Sequence, residues 1–288
     1  CADAATGKTL WRVVLDSMGL NGTKWDKPRA ANNTPAIGDG KVFAYGTMGQ
    51  IWALDAETGV LLWDKPAHSE MVQERDKALS LWGTNNKSQP LKGPPVAYIG
   101  GKVLFPFPRE GIIAYEPETG QEIWSKSEIL GSQACPSEWV CQGKSYIVTG
   151  SLEGVATCIN PDNGTVLWTL EGLGEMRIGL SVNDRWLGAF TKSDSAFGIF
   201  EMSNAPGTPP SLLWNKDISF LHGGMPPLIY EGKVYFRSSE DPNTCGRRVL
   251  MCYDLATGDE IWCLETNGHD DAFYYAIGNT LVYQRDGS

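Results

Sequence analysis

The sequence predicts an all-β fold, a β-propeller of four-stranded antiparallel blades, on three observations. One hairpin recurs as Asp55-Ala-Glu-Thr-Gly-Val-Leu-Leu-Trp63, Glu116-Pro-Glu-Thr-Gly-Gln-Glu-Ile-Trp124, Asn160-Pro-Asp-Asn-Gly-Thr-Val-Leu-Trp168 and Asp254-Leu-Ala-Thr-Gly-Asp-Glu-Ile-Trp262. A further copy spans residues 3–11, and a stretched one runs from Met202 through Pro206-Gly207 to Trp214. The tryptophans fall at 11, 63, 124, 168, 214 and 262, a period that suits propeller blades. Within each period, short apolar runs of strand length are separated by Gly, Pro, Asn and Asp turn signals.

The hairpin has a local physical logic. An acidic or amide side chain bonds to backbone amides of its own turn. Glycine then supplies the conformation that reverses the chain, and a β-branched or leucine pair leads into tryptophan on the returning strand. A tryptophan fixed at that place is expected to pack between neighbouring blades, which assigns Trp11, Trp63, Trp124, Trp168, Trp214 and Trp262 a structural role.

In chain order, residues 1–16 read as the end of one strand, the turn and a returning strand. The first complete unit places strands at 33–37, 41–45, 50–54 and 60–63. The second places them at 95–99, 102–105, 111–115 and 122–124. The third has 138–140, 145–148, 155–159 and 166–168; the fourth has 178–182, 186–190, 197–200 and 212–214. The fifth has 227–230, 233–236, 249–253 and 260–262. Strands at 272–277 and 280–283 supply two more, and residues 1–15 are what such a blade lacks. The expectation is therefore one domain over residues 1–288: six blades, the last shared by both ends of the chain. A fragment of a seven- or eight-bladed propeller is the alternative.

Two excursions interrupt the blades, residues 64–92 and 238–248, both on connections that leave the same face. Within the first, residues 69–82 carry a serine cap and Met71, Ala78, Leu79 and Trp82 at helical intervals, predicting a short helix.

Composition narrows the function. The net charge of −10 argues against a nucleic-acid or anionic-membrane surface. No run is long and apolar enough to span a bilayer. Seven cysteines lack the paired spacing of a zinc site. Cys135 and Cys141 flank a short segment and are candidates for a local disulfide, consistent with an extracytoplasmic setting. Cys158 and Cys252 stand where Ala53 and Ala114 stand in sister repeats, so buried packing is expected of them.

The candidate ligand-binding groups are those that precede inner strands near one end of the central channel: Asn33, Lys92, Glu138, Arg177, His222, His269 and Asp270, with Asp271 beside them. Such a ring suits a polar ligand, an ion or a catalytic base; a hydrated channel mouth lined by ordinary loop residues is the plainer reading. The sequence has no helical pair of metal-ligating histidines, no calcium-loop order of carboxylates, no nucleophile elbow and no phosphate-cradling glycine loop.

Residues 53–63 and 252–262, and the hairpins between them, resemble the pyrroloquinoline-quinone-type repeat of quinoprotein alcohol dehydrogenases and of quinone-like propeller proteins. The outer-membrane barrel-assembly lipoprotein with a propeller fold is a more distant relation. The resemblance covers essentially the whole chain and implies a tryptophan-docked propeller shared by enzymes and non-enzymes alike. For the catalytic members it implies eight blades, a vicinal cysteine pair over the quinone, a calcium or lanthanide ion and an aspartate base. This sequence has no adjacent cysteines and six repeats. The expectation is a non-catalytic, periplasmic or secreted scaffold with no cofactor, binding a protein through its loop-rich face or the 64–92 insertion. The alternative is a quinoprotein-type dehydrogenase oxidising an alcohol or sugar with pyrroloquinoline quinone and calcium in the channel.

Overall fold

The computed structural model describes residues 1–15, 34–45, 50–65, 96–107, 111–129, 135–151, 153–174, 180–191, 196–217, 227–238, 249–265 and 273–284. Five antiparallel sheets of four strands follow one another, each in simple sequential order. The first holds β1 (Ala36–Gly38), β2 (Lys41–Tyr45), β3 (Ile51–Asp55) and β4 (Leu61–Lys65); the second holds β5 (Ala97–Ile99), β6 (Lys102–Phe107), β7 (Gly111–Tyr115) and β8 (Glu122–Lys126). The third is β9 (Ser137–Cys141), β10 (Lys144–Gly150), β11 (Ala156–Ile159) and β12 (Val166–Leu170). The fourth is β13 (Ser181–Val182), β14 (Trp186–Thr191), β15 (Ala196–Glu201) and β16 (Ser211–Asp217). The fifth is β17 (Leu228–Tyr230), β18 (Lys233–Ser238), β19 (Val249–Asp254) and β20 (Glu260–Glu265), followed by a pair, β21 (Phe273–Ile277) and β22 (Thr280–Gln284).

Successive sheets meet through their first strands: β1 lies beside β5, β5 beside β9, β9 beside β13 and β13 beside β17. The core is consequently a series of apolar layers between sheets rather than one centre. Phe43, Ile51, Ala53, Val103, Phe105 and Ile113 fill the layer between the first two sheets, and Phe190, Phe197, Ile199, Val234, Phe236 and Met251 fill that between the fourth and fifth. A third strand covered on both faces must be apolar throughout, and β7, β15 and β19 are buried along almost their whole length. This is why those strands read as continuous apolar runs rather than as alternation.

The repeated hairpin forms as its residues dictate. Asp55 Oδ1 accepts hydrogen bonds from Thr58 N at 2.7 Å and Thr58 Oγ1 at 2.6 Å; Asp3 does the same with Thr6, and Asp254 accepts from Ala256 N and Thr257 N. These bonds hold the carboxyls of Asp3 and Asp55, through the threonine side chain first, below the ordinary value, as the Thr257 amide does for Asp254. A folded-state pKa below the unfolded one adds stability above the unfolded value and loses it as pH falls through the folded value. The variant Asp55→Asn/Asp254→Asn is therefore expected to lose less of its urea midpoint between about pH 5 and about pH 2.5 than the parent; an equal loss would refute the assignment.

Each returning strand then carries a bulge immediately before its tryptophan. Ala53 opposes Trp63 while Leu54 opposes Leu61, leaving Leu62 extra; Ile123, Leu167, Leu213 and Ile261 are the extra residues in the other sheets. A bulge bends and twists its strand. The indole after it reaches a backbone carbonyl of the next sheet: Trp11 Nε1 donates to Ala56 O at 3.0 Å, Trp63 to Pro117 O at 2.8 Å, Trp124 to Pro161 O at 2.7 Å and Trp214 to Leu255 O at 2.8 Å.

Trp168 departs from this. Its Nε1 is buried and has no hydrogen-bond partner, because the facing turn is the stretched copy over residues 202–210. Trp139 Nε1 instead bonds Asp184 O at 3.1 Å, and the Cys141 thiol approaches Asn204 O at 3.4 Å. Trp124→Phe removes a satisfied bond and orphans a carbonyl, an expected cost of about 1–2 kcal/mol. Trp168→Phe shares the loss of the indole's second ring but removes an unpaired buried donor, so it is expected to cost about 1–2 kcal/mol less than Trp124→Phe. Urea midpoints of the two variants decide this, and equal losses would contradict it.

Two expectations are corrected. The blade shared by both ends does not form: among the described residues β22 pairs with β21 and nothing else. Residues 1–11 close a hairpin of their own, with Ala2 opposite Thr9, Leu10 N donating to Cys1 O and the Cys1 amino group donating to Trp11 O. That hairpin rests on the first sheet through Trp11. The Cys135–Cys141 disulfide does not form either, since both thiols are free. Cys141 ends β9 and Cys135 precedes it. An extended segment rises about 3.3 Å per residue, which puts their Cα atoms far beyond the roughly 4.4–6.8 Å a disulfide spans. The helix expected over residues 69–82, and all of the 64–92 insertion beyond Lys65, lie outside the described residues.

Candidate functional site

The first strands of the five sheets border the axis of the array, so side chains there that escape the inter-sheet layers are the ones available to a ligand. On β9 the pattern alternates: Trp139 and Cys141 are buried while Glu138 and Val140 are exposed. Glu138, which sits opposite Ile147 of β10, is thus the one predicted candidate found among the described residues, and it is open to solvent. On β1, Ile37 is 72% exposed. Tyr98 of β5 lies flat on Phe43, ring centroids 5.9 Å apart, directly over Gly38, where any Cβ would fall 2.1 Å from the ring. Burial there pushes the Tyr98 hydroxyl above its ordinary pKa.

Asn33, Lys92, Arg177, His222, His269, Asp270 and Asp271 lie outside the described residues. In sequence each precedes an inner strand by a few residues.

At the opposite end of the sheets, where tight turns join first to second and third to fourth strands, lysines clasp neighbouring sheets together. Lys41 Nζ bonds Asp39 O at 3.0 Å and pairs with Glu118 in the turn of the second sheet. Its hydrogen bond to Glu118 raises its pKa above the ordinary lysine value. Lys102 reaches Asp162 of the third sheet at 3.7 Å. The signal was present in the sequence as Gly40-Lys41, Gly101-Lys102, Gly143-Lys144 and Gly232-Lys233, but its meaning depends on which turn each lysine faces. In the fourth sheet Trp186 stands at this place, and Arg185 just before it bonds Glu201 of the same sheet at 3.1 Å and stacks over Trp186.

Cys158 and Cys252 are buried as expected. Burial pushes the Cys158 thiol up to about 12 and raises that of Cys252, so both are packing groups rather than nucleophiles.

The fit of a quinone with calcium can be judged from the donors in place. Calcium takes six to eight oxygen ligands. The described inner strands offer Glu138 flanked by apolar Val140, with Ile37 on β1, and no group of three or more potential metal ligands occurs among the described residues.

The comparisons with known proteins bear on both readings. A family model described as outer membrane protein assembly factor BamB matches residues 1–134 and 109–287. The quinoprotein alcohol dehydrogenase PedH of Pseudomonas putida is 27% identical over 181 residues, 55% of this chain and 28% of that protein. The outer membrane protein assembly factor BamB of Yersinia pestis is 23% identical over 158 residues, 55% of this chain and 33% of that protein. The chain therefore matches a third or less of the length of these relatives. Among solved structures, BamB from Moraxella catarrhalis superposes with a TM-score of 0.62 at 17% identity, over 89% of this chain and 68% of that one. The quinohemoprotein alcohol dehydrogenase from Comamonas testosteroni does so at 0.57 and 14% identity, over 98% and 59%. These structures share the propeller fold, and the match of the family model across both halves means that the chain belongs to the PQQ-like propeller-repeat family described as outer membrane protein assembly factor BamB.

Proposed function

We propose that this chain is a protein-binding propeller scaffold that serves outer-membrane-protein assembly on the extracytoplasmic side, without a cofactor. The observation that carries the reading is the outer rim of the sheets. Val60, Leu61 and Leu62 are all exposed on the edge of the first sheet, as are Leu212 and Leu213 on the fourth and Ile261 and Leu264 on the fifth. An edge strand offers unpaired backbone groups, and aliphatic side chains beside them make a surface suited to protein contact. In sequence β4 continues directly into the rest of the 64–92 insertion, so the proposal takes the rim and that segment together. The description of the family as an assembly factor supports the same reading.

The test is co-purification from a bacterial envelope with the tagged chain, its 66–90 deletion and a Leu61→Ser/Leu62→Ser variant. Recovery of outer-membrane assembly proteins by the parent, reduced by roughly tenfold or more in both variants, is expected from loss of central apolar contacts. Equal recovery by all three would refute the surface.

The second reading, a quinoprotein-type dehydrogenase, is favoured by the PedH match. It predicts a quinone absorbance band and alcohol or sugar oxidation after addition of pyrroloquinoline quinone and calcium. A colourless, inactive protein under those conditions would remove it.

A further inference from the structure

We propose that Asn163 is a site of spontaneous conversion to aspartate and isoaspartate, and that docking of Trp124 of the second sheet governs its rate. In the turns that begin at Asp3, Asp55, Glu116 and Asp254, a threonine stands before the glycine. Its hydroxyl accepts a hydrogen bond from the amide of Lys8, Val60, Gln121 or Asp259 at 3.2–3.3 Å. In the third sheet Asn163 takes this place, and its Oδ1 accepts from Thr165 N at 3.0 Å. The bond is kept but the chemistry changes, because a following backbone nitrogen can attack the carboxamide of asparagine and threonine has none. The following residue is Gly164, whose missing side chain leaves that nitrogen unhindered, and Asn163 is exposed. In the reaction Gly164 N releases its proton to solvent base and bonds Cγ of Asn163. The Cγ–Nδ2 bond breaks, and the nitrogen leaves as ammonia after taking a proton from water. Water then opens the cyclic imide at either carbonyl, giving aspartate or isoaspartate, and no oxidant or reductant takes part.

In the folded turn both reacting groups are engaged. Gly164 N donates to Asn160 O at 2.9 Å, and the Asn163 carboxamide is held by Thr165 N. The amide must shed its proton and move onto Cγ, so it reacts only when the turn opens. The second sheet holds the turn shut. Trp124 Nε1 donates to Pro161 O at 2.7 Å, and its Cδ2 and Cε3 lie 2.9 Å from where a Gly164 Cβ would stand. Lys102 Nζ reaches Asp162 at 3.7 Å, and Pro161 Cγ lies 2.8 Å from where a Gly100 Cβ would stand. Asp162 is largely solvated, and such an ion pair contributes little. Trp124 is buried and covers Gly164 itself, which makes it the governing contact. Conversion therefore follows local opening of the joint between the second and third sheets, not the intrinsic reactivity of the dipeptide. Isoaspartate adds a backbone carbon to the loop closed by Asn160 O and Gly164 N. That displaces Gly164 from under the indole, so the product loosens the joint that had delayed it.

The test is peptide mapping by mass spectrometry after incubation of the full chain at neutral pH. Mapping separates position 163 from the other Asn-Gly pairs of the sequence, at 21–22 and 267–268. The samples are the folded parent, the parent unfolded in urea, Trp124→Phe, and Trp63→Phe, which makes the same change at the joint of the first and second sheets. Circular dichroism checks that both variants fold. The unfolded parent gives the intrinsic rate, and the folded parent should fall well below it. Trp124→Phe should convert about five- to thirtyfold faster than the folded parent, the rise in open population expected from losing the indole's bond. Trp63→Phe should convert at the parent's rate. Folded and unfolded parents that convert alike, or a Trp124→Phe as slow as the parent, would overturn the proposal. So would equal acceleration by Trp63→Phe, since the opening would then be global. The isolated isoaspartate form should have a lower urea midpoint than Asn163→Asp, which keeps the backbone length; equal midpoints would refute the loosening of the joint.

Discussion

Trp139→Ala is expected to destabilise the protein by about 3–5 kcal/mol, the cost typical of truncating a fully buried tryptophan. Trp139 is completely buried between the third and fourth sheets, edge-on to Trp168 at 6.3 Å and beside Tyr146 at 5.5 Å. Its hydrogen bond to Asp184 O stands in for the bond that Trp168 does not make. This layer thus has one indole tie where the ordinary layers have another, and the truncation removes it. Repeat proteins are stabilised largely by nearest-neighbour interfaces, so weakening one layer is expected to separate the unfolding of its two sides. In urea, the Trp139→Ala transition should broaden or split, with a lower apparent slope. Trp139→Phe, which keeps a ring but loses the bond, should cost about 1–2 kcal/mol and keep a single transition. A single sharp transition for Trp139→Ala at the parent's midpoint would contradict the account.

The regular blades were legible because a nine-residue string encodes several things together. The aspartate or asparagine builds the turn, the glycine leaves room over it, and the tryptophan returns at a fixed distance. Where the string is intact, at Asp55, Glu116, Asn160 and Asp254, the observed strands and contacts follow. The stretched copy misleads for a physical reason. Gly207 is present, but nothing lies over it, because the longer turn moves it away from Trp168, and Cys141 and Trp139 take over the contact. The bulges were not legible, since an extra residue changes register without changing composition. The disulfide expectation failed because closeness in sequence is not closeness in space once the intervening residues form a strand. Of the channel candidates, Glu138 could be placed because it belongs to a strand. Its exposure follows from alternation along β9, a pattern the sequence carries only if the strand's direction and neighbours are known. The lysine clasps show the same limit: Lys41 and Lys102 are ordinary surface residues until Glu118 and Asp162 of the next sheet are set beside them.

Gly120→Ala is expected to cost about 2–5 kcal/mol, and the reason is separable into two parts. At φ +66° an L side chain meets the steric penalty of the left-handed region, about 1–2 kcal/mol. The new methyl would also stand 2.7 Å from Cδ2 and 2.8 Å from Cε3 of Trp63, and that ring cannot retreat freely because its Nε1 is held by Pro117 O. Overpacking of this kind adds about 1–3 kcal/mol. Gly143→Ala isolates the first part: it lies at φ +73° with nothing within 4 Å of the added carbon, so it should cost only the backbone penalty. The second part belongs to the pair and is measured by a double-mutant cycle. In a Trp63→Ala background the ring is gone, and Gly120→Ala should then cost no more than Gly143→Ala. The coupling between positions 63 and 120 should therefore be about 1–3 kcal/mol. If the two substitutions instead add independently, the glycine is conserving a turn and not accommodating an indole, and the account of how one sheet is held to the next fails at its central contact.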